Sequence, residues 1–256
     1  MMPNDQIFVA TTGGAALPRK AFEYAEKTAK GFGKEICLVA LGENAEIAEQ
    51  AACFQEKTSV KINFLEGNKA KVFTETLEEA EASMVIFELS GKKPFNNLSY
   101  LLKISRELRI PYIFVKGNSE IKFNKVAVPI TFLVEDREKG RFAGSLGRFM
   151  QSEILLLTAN DYGSKAQSNT NAIKTLLDKF SLQYEVSKTK KDSYKAEMEA
   201  VQNAAQYGAN LAIVTASREY GLDDIIFGAK ELHIINKAEI PVMLLNPRGD
   251  LYVLCD

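Results

Sequence analysis

The sequence predicts an α/β protein composed of two tandem domains, each built on a doubly wound parallel sheet of five strands. Three observations support this fold class. Ten short apolar runs rich in β-branched residues occur along the 256 residues, and helical patterns separate them. The second five runs repeat the arrangement of the first five. Short continuous apolar runs are typical of strands buried on both faces, and strands that alternate with helices indicate right-handed crossovers in a parallel sheet.

Each half of the chain supplies five strand candidates. They are residues 7–10, 36–39, 60–64, 84–87 and 112–115 in the first half, and residues 126–130, 154–157, 183–186, 211–214 and 242–245 in the second. Each half therefore begins and ends with a strand and alternates strands with helices, which places helices on both faces of its sheet.

The clearest helical pattern lies in the second half. Apolar residues recur there at intervals typical of one face of a helix, namely Tyr194, Met198, Val201 and Ala205. The corresponding helix of the first half is predicted to begin at Asn68.

The repeat is visible in matching residues as well as in matching elements. Ile110-Pro111 stands directly before the last strand candidate of the first half, and Ile240-Pro241 stands before that of the second. Proline suits both places because it ends a helix and can open a strand. Residues 117–120, Gly-Asn-Ser-Glu, form the natural linker, so we expect domains of residues 1–120 and 121–256.

Composition argues against two classes of partner. The chain holds 32 basic and 33 acidic residues, a net charge of −1, which gives no electrostatic drive toward nucleic acid or an anionic membrane. No apolar run approaches the ~18 residues of a transmembrane helix, and the first residues lack the basic and apolar regions of a secretory signal. We therefore expect a cytoplasmic protein without a nucleic-acid or membrane partner.

Histidine and cysteine limit the chemistry further. The spacing of Cys37, Cys53 and Cys255 fits no metal site, and free thiols in a reducing compartment explain these residues. His233 is the single histidine, so we exclude a cluster of histidine ligands and expect this side chain on a helix surface. Since the spacing defines no Ser-His-Asp, Cys-His or paired-carboxylate arrangement, we predict neither catalytic residues nor metal ligands.

The order of elements, the repeat and the Ile-Pro before each last strand together resemble the universal stress protein family. The resemblance covers nearly the whole chain and is stronger in the second half, where Val128-Pro129-Ile130 opens like the family's first strand. It implies two tandem universal stress protein-like domains with an adenine nucleotide alpha hydrolase-like fold. It also implies a role in stress adaptation.

Nucleotide-binding members of this family carry a Gly…Gly…Gly-Ser/Thr loop after the fourth strand, whose glycines let the backbone approach phosphates. They also carry an acidic residue after the first strand, which contacts the nucleotide. The corresponding residues in the second half are Thr131 for the acid and Thr215, Arg218, Gly228 and Ala229 for the loop. Only Gly228 matches. These five residues mark a degenerate nucleotide site, and the resemblance no longer implies ordinary binding of ATP or AMP there.

The first half departs further from the family pattern. Thr12 stands in place of the acidic residue, and Leu98 falls where the last loop glycine would be. Two loops of this half leave alternatives open. Residues 11–14, Thr-Thr-Gly-Gly, and residues 90–93, Ser-Gly-Lys-Lys, form either plain β-to-α connections or small anion sites at the carboxyl edge of the sheet.

Three glycines of the second half superficially resemble a dinucleotide loop. Gly140, Gly144 and Gly147 nevertheless lie inside a helical pattern, well past the preceding strand. We interpret them as small residues that allow close helix packing.

The chain end carries a further prediction. Residues 251–254, Leu-Tyr-Val-Leu, are apolar and β-prone, and they follow a connector rich in turn residues. They are predicted to form an additional antiparallel strand that covers a sheet edge, or else to pack loosely on a helix.

Three hypotheses of function follow from these patterns. The first is a non-catalytic stress-response protein that acts through a protein partner or through self-association. The second is a nucleotide or small-anion binding protein that uses an altered site at the carboxyl edge of the sheet. The third is an enzyme of another doubly wound family, for which the sequence supplies no recognisable catalytic set.

Overall fold

The structure, a computed structural model, describes residues 6–11, 17–41, 49, 52–58, 61–67, 70–79, 82–89, 94–217 and 229–248. The chain divides into two compact units, Met1–Ile121 and Lys122–Asp256. The predicted strand at residues 251–254 and the loops at residues 12–14 and 90–93 lie outside the described residues.

The first unit is a parallel sheet with the strand order β3-β2-β1-β4-β5. Its elements are β1 (Ile7–Thr11), α1 (Arg19–Phe32), β2 (Ile36–Leu41), β3 (Ile62–Gly67), α2 (Ala70–Glu79), β4 (Met84–Leu89), α3 (Pro94–Ser105) and β5 (Tyr112–Lys116). The strand order reverses between β1 and β4, which makes this pair the topological switch point of the unit.

The second unit repeats this arrangement with the strand order β10-β9-β6-β7-β8. Its elements are β6 (Lys125–Ile130), a 3₁₀ turn (Val134–Arg137), α4 (Glu138–Met150), β7 (Glu153–Thr158), α5 (Lys165–Lys179), β8 (Tyr184–Lys188), α6 (Ala196–Gln202), α7 (Ala204–Tyr207), β9 (Leu211–Thr215), α8 (Lys230–Lys237) and β10 (Val242–Leu245). Its switch point lies between β6 and β9.

The predicted α/β class is confirmed, and each unit contains five strands that pair in parallel. Each of the ten apolar runs overlaps a strand, and the central strands β1 and β9 are buried along nearly their whole length. The Ile-Pro pairs act alike in both units. The carbonyl of Pro111 accepts a hydrogen bond from the backbone N of Val85 at 3.1 Å, and that of Pro241 accepts one from Ala212 at 3.2 Å. Each proline thus joins the ladder through its carbonyl, where its missing N–H costs nothing.

The prediction that Tyr194, Met198, Val201 and Ala205 form one apolar helix face after β8 is wrong. Tyr194 lies before α6 and is 80% exposed, while Ala205 is exposed on α7 because the helix is interrupted at Asn203. The buried residues of α6 include Glu197 and Glu199. Carboxylates face inward here because both find hydrogen-bond donors inside the protein. In the first unit, α2 begins at Ala70, two residues after the predicted Asn68.

Close packing explains the glycines of α4, as predicted. A Cβ added to Gly140 would lie 3.0 Å from Ile173 of α5, and one added to Gly147 would lie 3.0 Å from Ile154 of β7. At Gly144 the neighbouring side chains are at ordinary contact distance. The small residues therefore allow α4 to approach α5 and β7 closely.

Three smaller findings complete the fold. Among the described residues, no helix is both long enough and apolar enough to cross a membrane. Cys37 is buried and Cys53 is exposed, and both are free thiols. His233 is exposed on α8, in agreement with the prediction of a helix-surface histidine.

Candidate functional site

The candidate site lies at the carboxyl edge of the second unit, where β6 and β9 end side by side at the switch point. Ligands of open α/β sheets bind in the crevice at such a point. Thr131 directly follows β6 and Thr215 is the last residue of β9, and both are buried. The structure therefore brings together two of the residues that the sequence predicted for this site.

The carboxylate of Asp136 spans the crevice. Its Oδ2 accepts a hydrogen bond from the backbone N of Thr131 at 2.5 Å, and its Oδ1 accepts one from Oγ1 of Thr215 at 2.6 Å. Asp136 belongs to the 3₁₀ turn after β6 and is fully buried. An acidic side chain of the protein itself thus links the ends of the two switch-point strands.

A fully buried lysine, Lys139, pairs with the same carboxylate. Nζ of Lys139 donates to the carbonyl of Pro129 at 2.7 Å and to Oε1 of Glu197 at 2.9 Å, and it pairs with Oδ1 of Asp136 at 2.9 Å. Two of its three N–H donors are thus engaged in hydrogen bonds, and the Asp136 carboxylate lies against the same ammonium as an ion pair. Since it is also fully buried, Lys139 is part of the closed structure.

Glu197 of α6 continues the network toward β9 and α8. Its Oε1 also accepts a hydrogen bond from the backbone N of Thr215 at 2.9 Å, and its Oε2 accepts one from Nζ of Lys230 at 2.7 Å. Lys230 donates in addition to the carbonyl of Thr215 at 3.0 Å. This carboxylate therefore holds two ammonium groups and the end of a strand.

The electrostatics of the network favour its ionised form. Burial by itself would raise the pKa of Glu197, but the charges of Lys139 and Lys230 and their hydrogen bonds lower that pKa to about 2. Burial would likewise lower the pKa of Lys230, but its interactions with Glu197 outweigh burial and raise it. The buried charges stabilise one another.

The N-terminus of α8 completes the site. Ala229 is buried and precedes the helix, and its carbonyl accepts a hydrogen bond from Leu232 at 3.0 Å. Glu231 in the first turn is buried, and one of its carboxylate oxygens accepts a hydrogen bond from the backbone N of Ser217. This carboxylate lies where a helix N-terminus would otherwise attract an anion.

Of the five residues predicted for the site, the structure places three. Thr131 and Thr215 meet through Asp136, and Ala229 lies beside Lys230, which reaches back to Thr215. Arg218 and Gly228 lie outside the described residues.

Sequence reasoning missed Asp136, Lys139, Glu197 and Lys230 as site residues. A usable signal existed for two of them. Lys139 shares the buried face of α4 with Ala143 and Leu146, at the i, i+4 and i+7 spacing of one helix face. Glu197 lies at the same spacing before Val201 and Ala204, both buried. A charged residue on an apolar helix face predicts a buried partner.

The first unit has a simpler arrangement at its own switch point. Oε2 of Glu88, in β4, accepts hydrogen bonds from the backbone N of Lys20 at 2.8 Å and of Ala21 at 3.2 Å, at the start of α1. The carboxylate thereby caps two of the helix's free N–H groups.

Comparison with solved structures assigns the fold. Over 95% of this chain and 97% of the other, the protein superposes on a universal stress protein from Archaeoglobus fulgidus DSM 4304 with a TM-score of 0.68 at 12% sequence identity. A candidate universal stress protein from Pseudomonas aeruginosa UCBPP-PA14 gives a TM-score of 0.65 at 12% identity, covering 95% of this chain and 94% of that one. A protein of unknown function from Pseudomonas aeruginosa PAO1 gives 0.64 at 14% identity, covering 95% and 93%.

These similarities show that the chain has the universal stress protein fold over nearly its whole length, as the resemblance predicted. At such low identity they concern the fold alone. No protein-family model matches the sequence. No curated protein matches it either.

Proposed function

We propose that this protein is a non-catalytic stress-response protein that acts through contacts with a protein partner or with itself, and that it does not bind ATP in the usual way. The observation that carries the proposal is the Asp136 bridge between Thr131 and Thr215. At the switch point, the protein's own hydrogen-bonded carboxylate links the ends of the two strands.

Displacing this network would consume about half of the binding free energy of a micromolar nucleotide. Breaking a buried ion pair so that one charge is left alone costs about 3–5 kcal/mol. A ligand of micromolar affinity has about 8 kcal/mol of binding free energy in total. A nucleotide that had to separate Lys139 from Asp136 or Glu197 would retain little affinity.

The charges at the switch point also argue against ordinary binding of ATP. Among the described residues of the site, the carboxylates of Asp136, Glu197 and Glu231 outnumber the ammonium groups of Lys139 and Lys230. A triphosphate would therefore meet more negative than positive charge from these five side chains. The complete burial of Asp136 and Lys139 supports a non-catalytic role, because a general acid or base must come within hydrogen-bond reach of its substrate.

A second candidate function rests on Lys230. Its side chain is 37% exposed and lies at the start of α8, so it could hold a small anion or a phosphate at the carboxyl edge. In this case the protein would be a nucleotide or small-anion binding protein with an altered site.

Calorimetric titration of the full chain with Mg-ATP, and separately with AMP and inorganic phosphate, tests both candidates. We expect no saturable heat in the micromolar range. Saturable heat that disappears in Lys230→Gln, but persists in the exposed-lysine control Lys237→Gln, would favour the second candidate. Turnover of Mg-ATP to ADP, measured by chromatography of the same mixtures, would contradict a non-catalytic role.

A further inference from the structure

Three neighbouring loops at the carboxyl edge of the second unit each present a large apolar side chain to solvent. They follow β6, β7 and β8, which lie side by side in the sheet. Leu133 in the first loop is 37% exposed, Tyr162 in the second is fully exposed, and Tyr194 in the third is 80% exposed. Single exposed apolar residues are ordinary, but adjacent ones on consecutive loops indicate an interaction surface.

A chain of hydrogen bonds ties the three loops together. The backbone N of Phe132 donates to Oγ of Ser193 at 2.9 Å, and this hydroxyl donates in turn to Oδ2 of Asp161 at 2.5 Å. The backbone N of Ser193 donates to Oδ1 of Asp161 at 2.9 Å. Asp161 directly precedes Tyr162 and Ser193 directly precedes Tyr194, so these bonds fix the backbone at the base of each exposed ring.

Further contacts hold the first loop and one ring. Nδ2 of Asn169 donates to the carbonyls of Thr131 at 3.0 Å and of Leu133 at 2.8 Å. The rings of Phe132 and Tyr194 pack edge to face with their centroids 5.4 Å apart. Tyr194 is therefore held in place while most of its surface stays in water, and such preorganised side chains lose little entropy on binding.

The exposed charges of these loops are mainly positive. The lysines exposed there are Lys165, Lys190, Lys191 and Lys195. The nearby carboxylates are largely engaged: Asp161 accepts from Ser193, and Glu199 accepts from the backbone N of Lys190 and of Lys191 at 2.8 Å each. Asp192 is the exposed acidic residue of the loop after β8.

We propose that this surface, the aromatic edge, binds an acidic segment of a partner protein that also carries apolar anchor residues. The aromatic edge comprises Phe132, Leu133, Tyr162 and Tyr194 with Lys165, Lys190, Lys191 and Lys195. Tyrosine is favoured at the centre of protein interfaces because its ring buries a large area at a small entropic cost, and lysines select for acidic partners by charge complementarity. The inference rests on the proposed role in protein–protein contacts and names the surface that makes them.

A protein segment fits this surface better than single-stranded nucleic acid does. Binding of a single strand relies on bases that stack on successive ring faces, whereas here Leu133 is aliphatic and the rings of Phe132 and Tyr194 are already packed against each other. The net charge of −1 for the whole chain also gives no long-range attraction for a polyanion.

The test is a selection of phage-displayed random peptides against the full-length protein, followed by fluorescence anisotropy with the selected peptides. We expect enriched peptides that combine Asp or Glu with Phe, Leu or Tyr. Each should bind at least about tenfold more weakly after Tyr162→Ser/Tyr194→Ser and after its own acidic residues are changed to Asn and Gln. The control Tyr100→Ser, at an exposed tyrosine of the first unit, should bind like the unchanged protein.

A variant of the positioning residue Asp161 distinguishes a preorganised binding surface from nonspecific hydrophobic adsorption. Asp161→Asn keeps the size of the side chain but weakens the bonds that fix Tyr162 and Tyr194, so it should reduce peptide affinity without exposing or removing either ring. The proposal is overturned if no peptide is enriched over the double tyrosine variant, if the enriched peptides are basic, or if oligo(dT) binds more tightly than they do. These outcomes are independent of the Mg-ATP titration, which tests the proposed function itself.

Discussion

At the switch point of the first unit the carboxylate belongs to the strand: Glu88 of β4 accepts two backbone N–H groups at the start of α1. At the switch point of the second unit the carboxylate belongs to the turn, where Asp136 accepts a hydrogen bond from Thr215 of β9. Glu88 and Thr215 are both the fifth residue of their strands. In the first unit the strand supplies the acceptor and the segment after the first strand supplies the donors, whereas in the second unit the strand supplies the donor and the turn supplies the acceptor.

The helix that follows the first strand differs as well. In α1 the buried residues are almost all apolar, with Phe22 and Tyr24 among them, whereas α4 buries the ammonium of Lys139 at the corresponding edge. Among the described residues, the carboxylate at the first edge caps a helix, whereas the carboxylate at the second edge belongs to a buried ion network. The comparison shows that a repeated fold does not fix the chemistry of its carboxyl edge.

The largest effect is expected from removing the buried ammonium. Lys139→Met removes the ammonium that pairs with buried Asp136 and one of the two that Glu197 holds, which should lower the free energy of unfolding by about 3–5 kcal/mol. Urea denaturation followed by circular dichroism measures this loss. The exposed-lysine control Lys179→Met should change stability by no more than about 0.5 kcal/mol.

The coupling within the network can be measured by a double variant. Lys139→Met combined with Glu197→Gln should cost less than the sum of the two single changes, because each single change already breaks the same Lys139–Glu197 ion pair. Additive costs would mean that the two residues do not share one network.

A smaller effect is expected from acid. Because the pKa of Glu197 is lowered to about 2 in the folded protein, its contribution to stability is fully present above the unfolded pKa near 4.5 and is lost as the pH falls toward 2. This contribution amounts to a few kcal/mol, at about 1.4 kcal/mol per pKa unit. The slope of unfolding free energy against pH in this window should flatten in Glu197→Gln. An unchanged slope would contradict the prediction.

The smallest effect is expected in the first unit. Glu88→Gln keeps an acceptor for Lys20 and Ala21 but removes the charge that favours a helix N-terminus, so it should cost about 0.5–1 kcal/mol. The exposed-acid control Glu78→Gln should be near neutral. A loss as large as that of Lys139→Met would show that the first edge also depends on strongly coupled charges and would end the contrast between the units.

Much of the fold could be predicted from local sequence. Each predicted run overlaps a strand because a short apolar stretch bounded by polar residues has few other ways to be buried. The helix after β8 was predicted less accurately. Tyr194 and Ala205 fit an apolar helical pattern, but Tyr194 lies before the helix and Ala205 lies after its break at Asn203.

The candidate site was predictable only in part. Thr131 and Thr215 were found because they stand where the resemblance places an acidic residue after the first strand and the first glycine of the loop after the fourth. Asp136 and Lys139 were not found, since charged residues in a helical pattern ordinarily face solvent.

The sequence by itself determined the ten strands, the repeat and the Ile-Pro starts of β5 and β10. These features depend on neighbours in the chain or on short periodic patterns. Only the tertiary structure decided which charges are buried and with whom they pair. Asp136 and Thr215 are 79 residues apart, and Lys139 and Glu197 are 58 apart. A lysine and a glutamate stabilise a protein interior only when folding brings them within hydrogen-bond distance and removes them from water together, and no local pattern specifies that meeting.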